Sequence, residues 1–190
     1  IQITKDHSRS RSYLKTLIRE MHEVAKVIGT KQTLSQISWG GGTPTFLTVA
    51  EIEELHRATL DCFDVAPEAE VSIEIDPRVT TREQLLTLRK LGFNRVSLGV
   101  QDFNPEVQQA INRIQSVELT GDMLKFCREI GFEGINFDLI YGLPLQTQES
   151  FRKTMEQVIS LRPDRIALYN YAHLPSLRPH QKIMDKFVRP

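Results

Sequence analysis

Apolar positions along this chain recur with two periods that take turns. Leu14, Leu17, Ile18, Met21 and Ala25 fall at helical spacing among charged residues and predict an amphipathic helix over 10–27. Residues 34–39 then alternate, as a strand does. The order repeats. Thr48 and Glu51 form a capping-box pattern ahead of Ile52 and Leu55, and Val71-Ser72-Ile73-Glu74-Ile75-Asp76 alternates strictly until Pro77. Thr81 and Gln84 cap a helix carrying Leu85, Leu88 and Leu91, and Gly92 is placed to end it in the left-handed conformation. A third strand is predicted over 95–101, a short helix through Val107 and Ala110, and a longer helix over 119–130 with Gly131 past its end. A fourth strand over 135–140, a helix from Thr147 to Leu161 and a fifth strand over 165–171 complete the series.

Helices and strands alternating at this spacing imply an α/β fold of parallel strands joined by right-handed crossovers. A β/α barrel and a doubly wound sheet both satisfy that. The strand pattern favours the barrel. One face is apolar (Val71, Ile73, Ile75; Val96, Leu98, Val100; Ile135, Phe137, Leu139), whereas the other is small or polar (Ser72, Glu74, Asp76; Ser97, Gly99, Gln101; Asn136, Asp138). A closed eight-stranded barrel fills its lumen with branched apolar side chains, so a polar lumen points to a wider, open barrel. Five strands in 190 residues are fewer than a full barrel uses, and the chain is expected to be part of a larger domain.

Composition removes several function classes. Lys plus Arg and Asp plus Glu each number 24, a net charge of zero that predicts neither nucleic-acid nor anionic-membrane binding. No apolar run has membrane-spanning length. Cys62 and Cys127 are far apart and outside any C-x-x-C, so no metal site is expected from them, and reduced thiols fit a cytoplasmic protein. No G-x-G-x-x-G or P-loop pattern is present.

Candidate chemistry gathers where the strands end, the face on which such folds build active sites. Trp39-Gly40-Gly41-Gly42-Thr43-Pro44 leaves the first strand as bare backbone, and Glu74, Gln101, Asp138 and residues 170–172 end the later ones. Carboxylates there can accept ribose hydroxyls, and exposed carbonyls can accept from an amine. Arg113 lies in a loop, where an arginine is either solvated or turned to an anion.

Five segments occur in fixed order: Trp39-Gly40-Gly41-Gly42-Thr43-Pro44-Thr45, Ile73-Glu74-Ile75-Asp76-Pro77-Arg78, Gly99-Val100-Gln101-Asp102-Phe103, Asp138-Leu139-Ile140-Tyr141-Gly142-Leu143-Pro144 and Tyr169-Asn170-Tyr171-Ala172-His173-Leu174-Pro175. Together they resemble the oxygen-independent coproporphyrinogen III oxidase family of radical S-adenosylmethionine (SAM) enzymes. The resemblance implies a partial, open β/α barrel of the radical SAM type, of which residues 1–190 would be the central part. The first strand and the cluster loop would lie upstream, and a C-terminal region downstream. It implies a four-iron four-sulfur (4Fe-4S) cluster, whose C-x-x-x-C-x-x-C ligands would precede Ile1, and two bound SAM molecules. By position, Gly41 and Glu74 match residues around the first; Gly42, Thr43, Gln101, Arg113, Asp138 and Ala172 match residues around the second.

The implied activity is oxidative decarboxylation of two propionates of coproporphyrinogen III to vinyl groups in haem biosynthesis, with an external electron donor and acceptor. The isolated chain, lacking cluster ligands, is expected to be inactive. Arg78, Arg113 and Arg178 are candidates to meet substrate carboxylates, since arginine forks suit them. The alternative is a haem chaperone on the same scaffold; Asp76, Asp102 and Tyr171-Ala172-His173 resemble the oxidase more closely.

Overall fold

The computed structural model describes residues 6–177 and 179–188. In chain order it contains α1 (Ser8–Ile28), β1 (Thr33–Trp39), α2 (Val49–Cys62), β2 (Asp64–Ile75), α3 (Arg82–Lys90), β3 (Arg95–Gln101), α4 (Pro105–Ala110), α5 (Val117–Glu129), β4 (Gly134–Tyr141), α6 (Gln148–Leu161) and β5 (Arg165–Asn170). Two 3-10 turns, Pro44–Phe46 and Pro179–Met184, complete the elements. Thr48, Thr81 and Thr147 each close a capping box, which fixes where α2, α3 and α6 begin. Gly92 and Gly131 take φ of +93° and +92° just past α3 and α5, the left-handed stop that a side chain would strain.

The sheet order is β1-β2-β3-β4-β5, and every neighbouring pair is parallel. A doubly wound sheet reverses direction at a switch point; this one does not, and it curls into an open half-barrel. The apolar strand face packs beneath the helices. Ile73, Leu98, Ile135 and Phe137 are essentially inaccessible, with Leu14, Ile52, Leu85, Leu88 and Val158 from the helices over them. At about 25 cal/mol per Å² of apolar surface buried, this layer is the main stabilising term. Ser10 Oγ donates to Glu51 Oε1 at 2.8 Å, fastening α1 to α2. Ser72, Glu74, Ser97, Gly99, Asn136 and Asp138 take the opposite, concave face, as the alternation requires.

β2 departs from the sequence reading. It begins at Asp64, seven residues before the alternating run, and includes Pro67. Thr33 and Leu34 pair with Asp64 and Val65, the register then shifts, and Gln36 pairs with Glu70. Pro67 lies within that irregular stretch, where its missing N–H breaks no paired rung. On β5, Ile166 and Leu168 continue the apolar face in register with Phe137 and Leu139, but both are more than 40% exposed.

Candidate functional site

The rim is built where the strands stop. Beyond β1, Gly40 backs onto Glu74: a Cβ there would lie 2.7 Å from both Glu74 Cδ and Oε1. Gly41 and Gly42 then turn with φ of +81° and +130°, which glycine alone adopts without strain. The turn aims the Gly41 N–H at Glu74 Oε2, 3.1 Å away. Glu74, near the end of β2, is exposed and forms no ion pair among the described residues, so its remaining lone pairs face the lumen mouth.

One residue beyond β2, Asp76 is buried between two arginines. Arg78 Nε and Nη2 donate to it at 3.0 and 2.6 Å, and Arg113 Nη1 donates at 3.1 Å. Burial alone would raise the Asp76 pKa; the Arg78 hydrogen bonds and the Arg113 charge outweigh it and hold the carboxyl below the usual carboxylate range. Arg113 also donates through Nη2 to the Gly99 carbonyl at 2.7 Å. Burial lowers its pKa, an effect opposed by Asp76; an arginine remains charged under such conditions. Its Nε is buried and has no hydrogen-bond partner among the described residues. An unpaired buried donor on a cation is a costly arrangement unless an acceptor arrives from outside the chain.

Gln101 closes β3 with φ +68° where the β3–β4 register slips, Gly99 pairing with Asp138 but Gln101 with Leu139. The slip is a bulge that re-aims the side chain at a strand end. Asp138 is held from below. Ser97 Oγ donates to its Oδ2 at 2.8 Å, and Asn136 Nδ2 donates to its Oδ1 at 2.8 Å and to Ser97 Oγ at 2.6 Å.

The structure therefore brings Gly42, Thr43, Glu74, Gln101, Arg113 and Asp138 around one cavity of about 130 Å³, with Asp76 and Gly99 in its wall. Gly41 reaches it through Glu74. Ala172 is not among the lining residues; it follows β5 at the same end of the sheet, and its carbonyl accepts from Gln181 Nε2 at 3.0 Å. Arg78 is engaged with Asp76 rather than open to a substrate carboxylate, and Arg178 lies outside the described residues. The part played by Asp76 and Gly99 in placing Arg113 went unread in the sequence. Ser97 and Asn136 did carry a signal, since period two puts both on the face of Asp138.

A larger cavity of about 510 Å³ occupies the opposite end of the lumen, where Arg95, Gly134 and Arg165 start their strands and Arg95 pairs with Glu70. In this fold the strand starts serve stability and the strand ends serve chemistry. No group of three His, Cys, Asp or Glu is placed to hold a metal among the described residues. Cys62 and Cys127 are buried free thiols in α2 and α5, and burial pushes the Cys127 thiol up to about 12. The described side chains thus do not fit an iron–sulfur cluster, whereas the rim fits a polar ligand with both donors and acceptors.

Comparison with known proteins identifies the family of the chain. The family described as the Radical SAM superfamily matches residues 3–158. Oxygen-independent coproporphyrinogen III oxidase of Synechocystis sp. is 43% identical over 178 residues, 94% of this chain and 38% of that protein. The Pseudomonas aeruginosa oxidase is 46% identical over 185 residues, 95% of this chain and 40% of its own length. The solved structure of Escherichia coli coproporphyrinogen III oxidase, described as a radical SAM enzyme, superposes with a TM-score of 0.93 at 43% identity, covering the whole chain and 44% of that protein. The chain spans about two-fifths of the length of the curated relatives it matches.

Proposed function

The chain belongs to the radical SAM superfamily, and from that membership we propose that it is the central part of the catalytic barrel of an oxygen-independent coproporphyrinogen III oxidase. The observation that carries this is the convergence of Glu74, Gln101, Arg113 and Asp138 on one strand-end cavity in a chain 43–46% identical to such oxidases. The parent protein would convert two propionates of coproporphyrinogen III to vinyl groups. Each conversion removes a hydrogen atom, one electron and carbon dioxide, so an electron acceptor is required.

In this reading the rim contributes to the binding of two SAM molecules. Glu74 retains acceptor capacity for ribose hydroxyls beside the first, and the exposed Gly41 backbone lets it approach. Arg113, with an unpaired Nε, supplies the donor a second molecule's acceptor would satisfy. Gly42, Thr43, Gln101, Asp138 and Ala172 would complete that second site, with Asp138 held by Ser97 and Asn136. Gly41, Glu74, Arg113 and Asp138 would hold SAM, which with a 4Fe-4S cluster would supply hydrogen-abstraction chemistry; the cluster's ligands would come from elsewhere in the parent protein. The chain's own residues orient the cofactor and exclude water, and the difficult chemistry belongs to the cofactor.

The test uses the parent protein with its cluster reconstituted. Glu74→Ala and Asp138→Ala should each weaken SAM binding about ten- to hundredfold, the equivalent of roughly 1.5–3 kcal/mol for a hydrogen bond to a charged group. Calorimetry showing unchanged affinity in both variants would reject the site. Haem binding with coproporphyrinogen left intact would reject the activity.

A further inference from the structure

Behind Gln101, on the helix side of the rim, lies a polar network that the cofactor reading does not use. Asp102 is completely buried. Its Oδ1 accepts from Thr154 Oγ1 of α6 at 2.6 Å and from the Asn104 N–H at 2.7 Å, and its Oδ2 accepts from Gln146 Nε2. Gln146 in turn takes the Gly142 N–H at 2.6 Å and donates to the Ile140 carbonyl at 3.0 Å. Gln108 Nε2 donates to the Asp102 carbonyl at 2.9 Å. No cation pairs with Asp102 among the described residues. A buried carboxylate satisfied by neutral donors alone is expensive to keep, and an amide or an apolar residue would fill the same volume. The acceptor-only carboxylate meets three donors at once, which an amide, half donor itself, cannot do.

What distinguishes this position is its neighbour. Gln101 is a non-glycine residue at φ +68°, a conformation that costs about 1–3 kcal/mol and persists only where the surroundings over-determine it. The Asp102 N–H closes back on the Val100 carbonyl at 2.9 Å, so Gln101 is the apex of a three-residue turn. One side of the turn is pinned by β3, the other by the Asp102 carboxylate through α6 and the β4–α6 loop. Gln101 lines the cavity; Asp102 does not.

We propose that Asp102 is a positioning residue for the cofactor rim: its buried carboxylate, clamped by Thr154, Asn104 and Gln146, locks Gln101 in the left-handed turn that presents it to SAM. The inference rests on the reading of the rim as a SAM site. Asp102 touches no ligand and acts through Gln101.

The experiment is a double-mutant cycle in the parent protein with its cluster, combining Asp102→Asn with Gln101→Ala. Three readouts are SAM affinity by calorimetry, thermal unfolding, and hydrogen exchange at Asp102, Asn104 and Gly142 without SAM. Asp102→Asn should fold, lose about tenfold in SAM affinity and exchange faster at those amides. In the Gln101→Ala background the same change should alter affinity by less than about twofold, because the residue it positions has gone. Thr154→Val, which removes one donor, should show a smaller loss of the same kind, and stands in if Asp102→Asn does not fold. Unchanged affinity in the single variant, or losses that multiply in the double variant, would overturn the proposal. Should the unmodified protein bind no SAM, the cofactor reading fails by itself. The exchange data then decide the clamp, and unchanged protection at all three amides would reject it.

Discussion

Gly99→Ala separates the stability of the barrel from the function of its rim. Gly99 lies in β3 outside the left-handed region, so its backbone accepts alanine. The nearest backbone atom to an added Cβ is the Ile75 carbonyl oxygen at 3.7 Å, an ordinary contact. Two side-chain atoms are closer. Arg113 Nη2 and Gln101 Nε2 would each stand 3.0 Å from the methyl and must retreat by a few tenths of an ångström. Arg113 is the less able to yield, because Nη2 holds the Gly99 carbonyl at 2.7 Å and Nη1 holds Asp76 at 3.1 Å. Arg113 and Gln101 line the cavity, so their retreat weakens a contact to the ligand, and one charge-assisted bond is worth about 1.5 kcal/mol, about tenfold in affinity. For the fold, strain on the bond from Arg113 to the Gly99 carbonyl is offset by alanine, which is roughly 0.5–1 kcal/mol better than glycine within a strand. The expected result is a melting temperature close to that of the unmodified protein, with SAM affinity about tenfold lower by calorimetric titration. Unchanged affinity in a fully folded variant would refute the argument. So would a large fall in melting temperature with affinity retained, which would show the lumen is packed as core.

Two further outcomes follow from the ionisation of buried groups. Asp76 is held below its ordinary range, so its contribution to stability is fully present above about pH 4 and is lost as pH falls through the lowered folded value. Denaturant melts should therefore show Asp76→Asn less stable than the unmodified protein at pH 7 and the gap shrinking at pH 3; a constant gap would deny the pairing with Arg78 and Arg113. Cys127, pushed up to about 12 by burial, should resist iodoacetamide at pH 8 until the chain is unfolded, as read by mass spectrometry. Rapid native labelling there would mean that α5 is not packed against the sheet.

What the sequence made legible was local. β3 and β4 announce themselves by strict alternation, and three capping threonines with two glycine stops mark α2, α3, α5 and α6 along the chain. The first half of β2 left no such mark, because Pro67 and Glu68 interrupt the pattern and pairing with β1 recruits the segment. The rim residues were visible as polar ends to apolar strands, but their support was not. Arg113 is oriented by Asp76, 37 residues away, and Asp102 by Thr154, 52 residues away. A hydrogen bond between distant side chains leaves no period and no spacing for sequence to show. The left-handed Gln101 is similar, since nothing in its residue type requests that conformation.

The uninterrupted strand order has a consequence for how the site comes into being. Each strand pairs with the one immediately before it, Ile73 with Val96 and Leu98 with Phe137, so no pairing makes the chain search beyond one βα unit. Loop-closure entropy is then met in short, similar steps, and units can be added in the order of their synthesis. The rim does not share that modularity. Glu74, Arg113 and Asp138 belong to three successive units, and the cavity between them exists only after the last has docked. A half-made chain emerging from the ribosome can hold a stable core while still having nowhere to bind its ligand.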